Sequence, residues 1–125
     1  MLCEQGAHRI LVVEDEALIA YDLETALRQS GCEVVGPVAT VAAAERALAG
    51  ALPDAAVLDI ELGDGKVFPI ADALADRGVP FVFLTGYEPE TLPERHARRP
   101  IVIKPCRAEV LLRLLTRATS KTAAP

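Results

Sequence analysis

Aromatic residues are scarce in this sequence, which has no tryptophan, three phenylalanines and two tyrosines among 125 residues. The hydrophobic core must therefore be built mainly from valine, leucine, isoleucine and alanine. Apolar residues make up 51% of the chain and charged residues 25%, which is typical of a globular domain and not of a disordered chain. We expect one domain over residues 1–125, with a core over about 8–119 and a frayed tail over 120–125.

Positive charge is also scarce, and the formal net charge of -5 argues against binding to a nucleic-acid backbone. No apolar run approaches the ~18 residues of a membrane span. The segment Met1–Gly6 lacks the charged and apolar regions of a signal peptide. Cys3, Cys32 and Cys106 are too widely spaced for a disulfide framework or a zinc site. We expect reduced cysteines, a cytoplasmic location, and neither nucleic acid nor membrane as a partner.

Short apolar runs alternate with helical patterns along the chain. The runs predict five strands, at 9–13, 33–38, 55–58, 79–84 and 101–103. The patterns between and after them predict helices from 17 to about 30, 41 to about 51, 66–77 and 107–118, with a short or irregular helix over 88–97. This alternation indicates an α/β fold with a doubly wound, flavodoxin-like parallel sheet of strand order 2-1-3-4-5.

Asp59 ends the third predicted strand, directly before a loop that contains two glycines. Taken alone, such an aspartate is more often a turn or cap residue than a functional one. In a doubly wound sheet, however, the carboxyl ends of the strands meet at the ligand-binding edge. The polar residues at these strand ends are Glu14, Asp15, Asp59, Thr85 and Lys104. Each has an ordinary explanation by itself, but their convergence at one edge indicates a site.

Clustered carboxylates repel one another, so the predicted site needs a cation, and its oxygen ligands suit Mg²⁺. Asp15 and Asp59 are the expected direct ligands, Glu14 would act through water, and the backbone carbonyl of Glu61 would complete the set. Asp59 can then act as a nucleophile toward phosphorus and form an aspartyl phosphate.

The remaining residues at this edge suit the oxygens of a phosphoryl group, which Mg²⁺, Lys104 and Thr85 would share. Gly86 would leave space for the incoming group. The bond before Pro105 is either a cis peptide that aims the lysine inward or an ordinary trans bend.

The set Glu14-Asp15, Asp59, Thr85-Gly86 and Lys104-Pro105 resembles the conserved set of a response-regulator receiver domain of the CheY-like kind, over residues 9–118. The resemblance implies Mg²⁺-dependent phosphotransfer to Asp59 from a sensor histidine kinase or a phosphotransfer protein. It also implies that the domain catalyses this transfer and its own dephosphorylation, being mainly a signalling protein. Its output surface would be the fourth helix, fifth strand and last helix, which could also support a homodimer.

Two positions bear on how such a phosphate would be reported. Most receivers carry an aromatic residue three positions before the lysine, where this chain has Ile101. The run Phe83–Tyr87 resembles the motif of the FATGUY receivers, an alphaproteobacterial single-domain subgroup associated with kinases of the HWE family. Tyr87 would then replace the missing ring, or else be an exposed loop tyrosine.

Three functions remain open from the residues. The first is a single-domain phospho-receiver that signals by protein contact or acts as a phosphate sink or relay, although a fragment of a longer protein would look the same. The second is a pseudo-receiver that binds partners without phosphorylation. The third is a phosphohydrolase, whose usual second aspartate is replaced here by Glu61.

Overall fold

The computed structural model describes residues 8–86 and 92–123. Within these ranges the elements are, in chain order, β1 (Arg9–Val13), α1 (Ala17–Gln29), β2 (Glu33–Val38), α2 (Val41–Gly50), β3 (Ala55–Asp59), β4 (Glu61–Leu62), β5 (Gly65–Lys66), α3 (Phe68–Asp76), β6 (Phe81–Thr85), a 3₁₀ helix (Glu94–His96), β7 (Ile101–Ile103) and α4 (Ala108–Ala123). None of the helices in the described ranges is long and apolar enough to cross a membrane.

Five strands form one parallel sheet in the order β2-β1-β3-β6-β7. Counted among the sheet strands alone, this is the order 2-1-3-4-5, so the predicted doubly wound fold is confirmed. The central strands β3 and β6 are buried along their whole length, as expected for parallel strands covered by helices on both faces.

Alternate side chains of the strands enter two separate cores, because successive residues of a strand point to opposite faces of the sheet. Leu11 and Phe83 lie in the core that α2 and α3 cover. Their neighbours Val12 and Leu84 lie in the core that α1 and α4 cover. The sheet therefore holds the strand ends between two packed layers, and the polar residues at those ends sit on a rigid support.

The third predicted helix began two residues too early. Residues 61–66 form a small antiparallel hairpin, β4–β5, in which Glu61 is paired with Lys66. The backbone N–H of Val67 then donates to the carbonyl of Ile60 at 3.0 Å, so the chain returns to the sheet before α3 starts at Phe68. The hairpin is held to α2 as well, because Asp64 accepts hydrogen bonds from the backbone N–H groups at the start of that helix.

The last predicted helix ended five residues too early, since α4 continues to Ala123. The residues after Ala118 include neither glycine nor proline before Pro125, so no residue type there stops a helix. The Thr119 hydroxyl donates to the carbonyl of Leu115 at 2.9 Å, as a helical position four residues on allows.

The connection between β6 and β7 is described at residue 86 and from residue 92 onward. Its described part has a three-residue 3₁₀ helix, Glu94–His96, where a short or irregular helix was predicted. His96 is fully buried, and its Nε2 lies 2.7 Å from Asp72 Oδ1 on α3. The ring also meets Phe81 and Phe83 edge-on, with centroids 5.5 and 6.0 Å away. This histidine anchors the connection to the sheet and to α3.

The cysteine prediction holds only in part. Cys106 is a free thiol, but Cys32 is disulfide-bonded. Wide spacing along the sequence did not exclude this bond, because the fold sets the distance between cysteines.

Candidate functional site

The ends of four strands bring the predicted site residues together. Glu14 and Asp15 follow β1, and Asp59 is the last residue of β3. Carboxylate oxygens of these three residues all lie within 4.8 Å of one another. Thr85 ends β6 and Lys104 follows β7, so the lysine reaches the acids from the other side.

Lys104 makes ion pairs with three carboxylates. Its Nζ lies 2.8 Å from Glu16 Oε1, 3.1 Å from Glu14 Oε1 and 3.3 Å from Asp59 Oδ2. Burial by itself lowers the pKa of Lys104, but the hydrogen bonds to Glu16 and Glu14 and the charge of Asp59 outweigh it, and the pKa is raised. The lysine is therefore a fixed positive charge in the site.

Asp59 is only 3% exposed, and the pKa of its carboxyl is raised to about 8. Burial is the largest cause, the negative charge of Glu14 adds to it, and Lys104 offsets the rise only in part. One lysine thus does not balance the surrounding acids. A carboxylate held in this way gains from any additional cation placed beside it.

Gly86 lines the site beside the lysine, and Thr85 precedes it at the end of β6. Thr85 is buried, and its carbonyl accepts a hydrogen bond from the backbone N–H of Lys104 at 2.7 Å. A Cβ atom added to Gly86 would lie 3.7 Å from Lys104 Cε, which is ordinary van der Waals contact. Lys104 itself is followed by a cis bond to Pro105, the first of the two conformations considered from the sequence.

The site opens as a cleft of about 400 Å³, lined by Asp15, Glu16, Asp59, Glu61, Gly86 and Lys104. The backbone N–H of Glu61 donates to Asp59 Oδ1 at 3.3 Å. The side chain of Glu61 makes an ion pair with Lys66 on the hairpin and is half exposed. This leaves the main chain of Glu61 as the part that faces Asp59, and the ligand role of its carbonyl stays a prediction.

Glu16 was not among the predicted site residues, because three consecutive acids at a helix start resemble a cap. Glu16 is indeed the N-cap residue of α1, but its side chain makes no capping hydrogen bond. The available signal was the residue type, since Asp, Asn, Ser and Thr are the usual side chains at this position and Glu is not.

The proposed switch residues are less well defined. Ile101 is half-buried and lies opposite Phe83 in the pairing of β7 with β6. It therefore packs into the core on the side of α2 and α3, behind the strand that carries Thr85. Tyr87 lies outside the described residues.

With the acids, the threonine and the lysine located, the chain can be compared with known proteins. The model of the response regulator receiver domain matches residues 10–116. The chain belongs to the response regulator receiver family. Receiver domains are components of two-component signalling. The fold and the family that the sequence predicted are both confirmed.

Several receivers are similar to this one. It is 36% identical over 97 residues to the phyllosphere-induced regulator PhyR of Methylorubrum extorquens, covering 75% of this chain and 34% of that protein. It is 33% identical over 88 residues to the transcriptional regulatory protein PdtaR of Mycobacterium tuberculosis, covering 70% of this chain and 43% of that protein. The chain therefore matches less than half the length of these curated relatives.

A solved structure resembles the whole receiver. The solution structure of SdrG from Sphingomonas melonis Fr1 has a TM-score of 0.79 and 40% identity, covering 91% of this chain and 97% of that one.

Proposed function

We propose that this receiver accepts a phosphoryl group on Asp59 from the phosphohistidine of a sensor histidine kinase, with an HWE-type kinase as the candidate, or of a phosphotransfer protein. The observation that carries the proposal is the position of Asp59, a buried carboxylate within 4.8 Å of Glu14 and Asp15 and 3.3 Å from Lys104 Nζ. The cleft beside Asp59 is open to a phosphohistidine.

Mg²⁺ fits the residues of this site. Among the described residues, the buried Glu14 and Asp59 and the exposed Asp15 outnumber the one buried lysine. Burial and the charge of Glu14 raise the pKa of Asp59. Asp15, Asp59 and the carbonyl of Glu61 would hold the ion, with Glu14 acting through water. When bound, Mg²⁺ supplies positive charge to one oxygen of the transferred phosphoryl group.

The side chains of the site have distinct roles in the proposed transfer. A carboxylate oxygen of Asp59 attacks phosphorus, the phosphorus–nitrogen bond breaks, and the histidine nitrogen keeps the electron pair. Lys104 neutralises a second phosphoryl oxygen, and the Thr85 hydroxyl donates to a third. Water later attacks the phosphorus of the aspartyl phosphate in the same site. Inorganic phosphate is released, and the Asp59 carboxylate is restored.

The proposal also covers the domain organisation, the location and the output of the protein. We propose a single cytoplasmic receiver domain over residues 1–125 that signals by protein contact or serves as a phosphate sink or relay. The surface formed by the β6–β7 connection, β7 and α4 is the proposed output and dimer surface. Changes at Thr85 reach this surface directly, because the Lys104 backbone is hydrogen-bonded to Thr85.

A receiver that is never phosphorylated is the second candidate. Ile101 favours it, because an aliphatic side chain at this position cannot turn inward as an aromatic ring does after phosphorylation. The complete set of acids with Lys104 favours phosphorylation instead.

The two candidates differ in uptake of phosphate. With acetyl phosphate or a partner kinase and Mg²⁺, we expect the wild-type protein to take up an acid-labile, hydroxylamine-sensitive phosphate, and Asp59→Asn to take up none. Intact-protein mass spectrometry measures both. Asp22→Asn, at an exposed position of α1, is the matched control and should behave as the wild type. Phosphate on the Asp59→Asn protein would refute the assignment of the acceptor, and no phosphate on the wild type would favour the pseudo-receiver.

A further inference from the structure

Glu16 lines the cleft and pairs with Lys104, yet its side chain has no role in the proposed function. We propose that Glu16 is a positioning residue that holds Lys104 until a phosphoryl group displaces it, and thereby weakens phosphoryl binding. The inference rests on the proposed function, because it concerns the same lysine.

The ion pair between Glu16 and Lys104 is the shortest that the lysine makes, at 2.8 Å. The main chain of Glu16 is fixed as well, because its N–H donates to Glu14 Oε2 at 2.9 Å. Glu14 thus holds the backbone of Glu16 while both side chains bind the same ammonium group. This arrangement brings a carboxylate that is not a predicted metal ligand to the mouth of the cleft.

The ammonium group of Lys104 has three protons and, in this structure, three carboxylate partners. A phosphoryl oxygen on Asp59 can bind Lys104 only if one of these hydrogen bonds is given up. Release of Glu14 would leave a fully buried carboxylate without its positive partner, which is strongly unfavourable. The side chain of Glu16 is 59% exposed, so water can solvate it after release. Of the two glutamates, Glu16 is therefore the one whose contact the phosphoryl oxygen replaces.

Replacement of the Glu16 contact by a phosphoryl oxygen determines whether Glu16 raises or lowers the affinity for the phosphoryl group. Its carboxylate stabilises the unphosphorylated site through Lys104 and loses that contact when the phosphoryl group binds. Exposed ion pairs are weak, and the expected gain in phosphoryl affinity on removing this one is about two- to fivefold.

Titration with beryllofluoride, a phosphoryl mimic, at saturating Mg²⁺ measures this affinity directly. Isothermal calorimetry or amide chemical shifts serve as the readout, because the chain contains no tryptophan. We expect Glu16→Gln to bind beryllofluoride two- to fivefold more tightly than the wild type. Glu24→Gln is the matched control, since Glu24 is another ion-paired glutamate of the α1 region and pairs with Arg28. It should leave the affinity unchanged.

The variant Glu16→Asp tests whether the ion pair with Lys104, and not the negative charge alone, weakens phosphoryl binding. It keeps the negative charge but is one methylene shorter, so it reaches Lys104 less well. If the contact with Lys104 weakens phosphoryl binding, Glu16→Asp also binds beryllofluoride more tightly than the wild type. Wild-type affinity in Glu16→Asp, or in Glu16→Gln, overturns the inference. A wild-type protein that binds no beryllofluoride at all overturns the proposed function, and the inference with it.

Discussion

Two groups of buried polar side chains differ in charge balance: one surrounds Lys104, directly after β7, and the other surrounds His96, within the connection between β6 and β7. In the first group, Lys104 is surrounded by Glu14, Glu16 and Asp59. In the second, the His96 side chain has one polar partner among the described residues, Asp72, whose side chain is 45% exposed. The lysine site has excess negative charge, whereas the histidine sits between phenylalanine rings with its only described carboxylate partner at the surface.

The contrast shows that burial of a polar group serves two purposes in this protein. Buried acids that repel one another reduce the stability of the folded protein and favour binding of a cation, on which the proposed phosphoryl transfer depends. The buried His96 ring instead fills space against Phe81 and Phe83 and fixes the connection to α3. We therefore expect the protein to lose stability without Lys104 or the His96 ring, and to gain stability when the Asp59 carboxylate is removed.

The largest effect is expected from the loss of Lys104. Lys104→Met leaves Glu14 and Asp59 without a positive partner among the described residues, and we expect the protein in EDTA to lose about 3 kcal/mol of unfolding free energy. Urea unfolding measures this loss, and Mg²⁺ should restore part of it. Lys66→Met, which breaks an exposed ion pair with Glu61, should cost less than about 1 kcal/mol. Equal losses in the two variants would contradict the view that Lys104 balances buried charge.

The next effect concerns His96, which anchors the connection between β6 and β7. His96→Ala removes a fully buried ring, and we expect it to lower the unfolding free energy by about 2 kcal/mol. His96→Phe keeps a ring of similar size but loses the hydrogen bond to Asp72. Because Nδ1 of His96 has no hydrogen-bond partner in the described structure, the phenylalanine also removes an unsatisfied buried atom. It should cost less than His96→Ala in the same urea titration. An equal loss would mean that the hydrogen bond, not the ring, holds the connection.

The smallest effect has the opposite sign. The folded protein raises the pKa of Asp59 from 3.8 to about 8, so Asp59 favours folding below pH 3.8 and loses that contribution as the pH rises through about 8. Asp59→Asn lacks the titrating carboxyl. In EDTA we expect Asp59→Asn to be more stable than the wild type by at least ~1 kcal/mol near pH 8.5, because a shift of one pKa unit already corresponds to about 1.4 kcal/mol. Near pH 5 the difference in stability should be smaller. Urea unfolding at the two pH values measures the difference. A pH-independent difference would rule out the raised pKa as its cause.

The sequence was a good guide wherever local pattern decides the structure. Apolar runs and helical periodicity were enough for the sheet order, and the strand-terminal position of Asp59 led to its neighbours. It was a poor guide where a contact joins distant positions. The pair of Glu16 and Lys104 spans 88 positions, and Glu16 looked like a helix cap. His96 lies 24 positions from Asp72, and no spacing rule connects a loop histidine with a helix aspartate. The hairpin that ends at Lys66 was missed because four residues of strand are too few to show alternation.

The contact between Glu14 and Lys104 joins positions 90 residues apart, across four of the five strands of the sheet. During synthesis, Lys104 leaves the ribosome long after Asp59 does, and until then the acids have no lysine. Under the proposed function, a nascent chain carries the acceptor aspartate without the lysine that the transfer needs. A truncated product or a proteolytic fragment that ends before β7 would then consume no phosphate from a kinase. Phosphorylation would therefore require that translation and assembly of the sheet are complete.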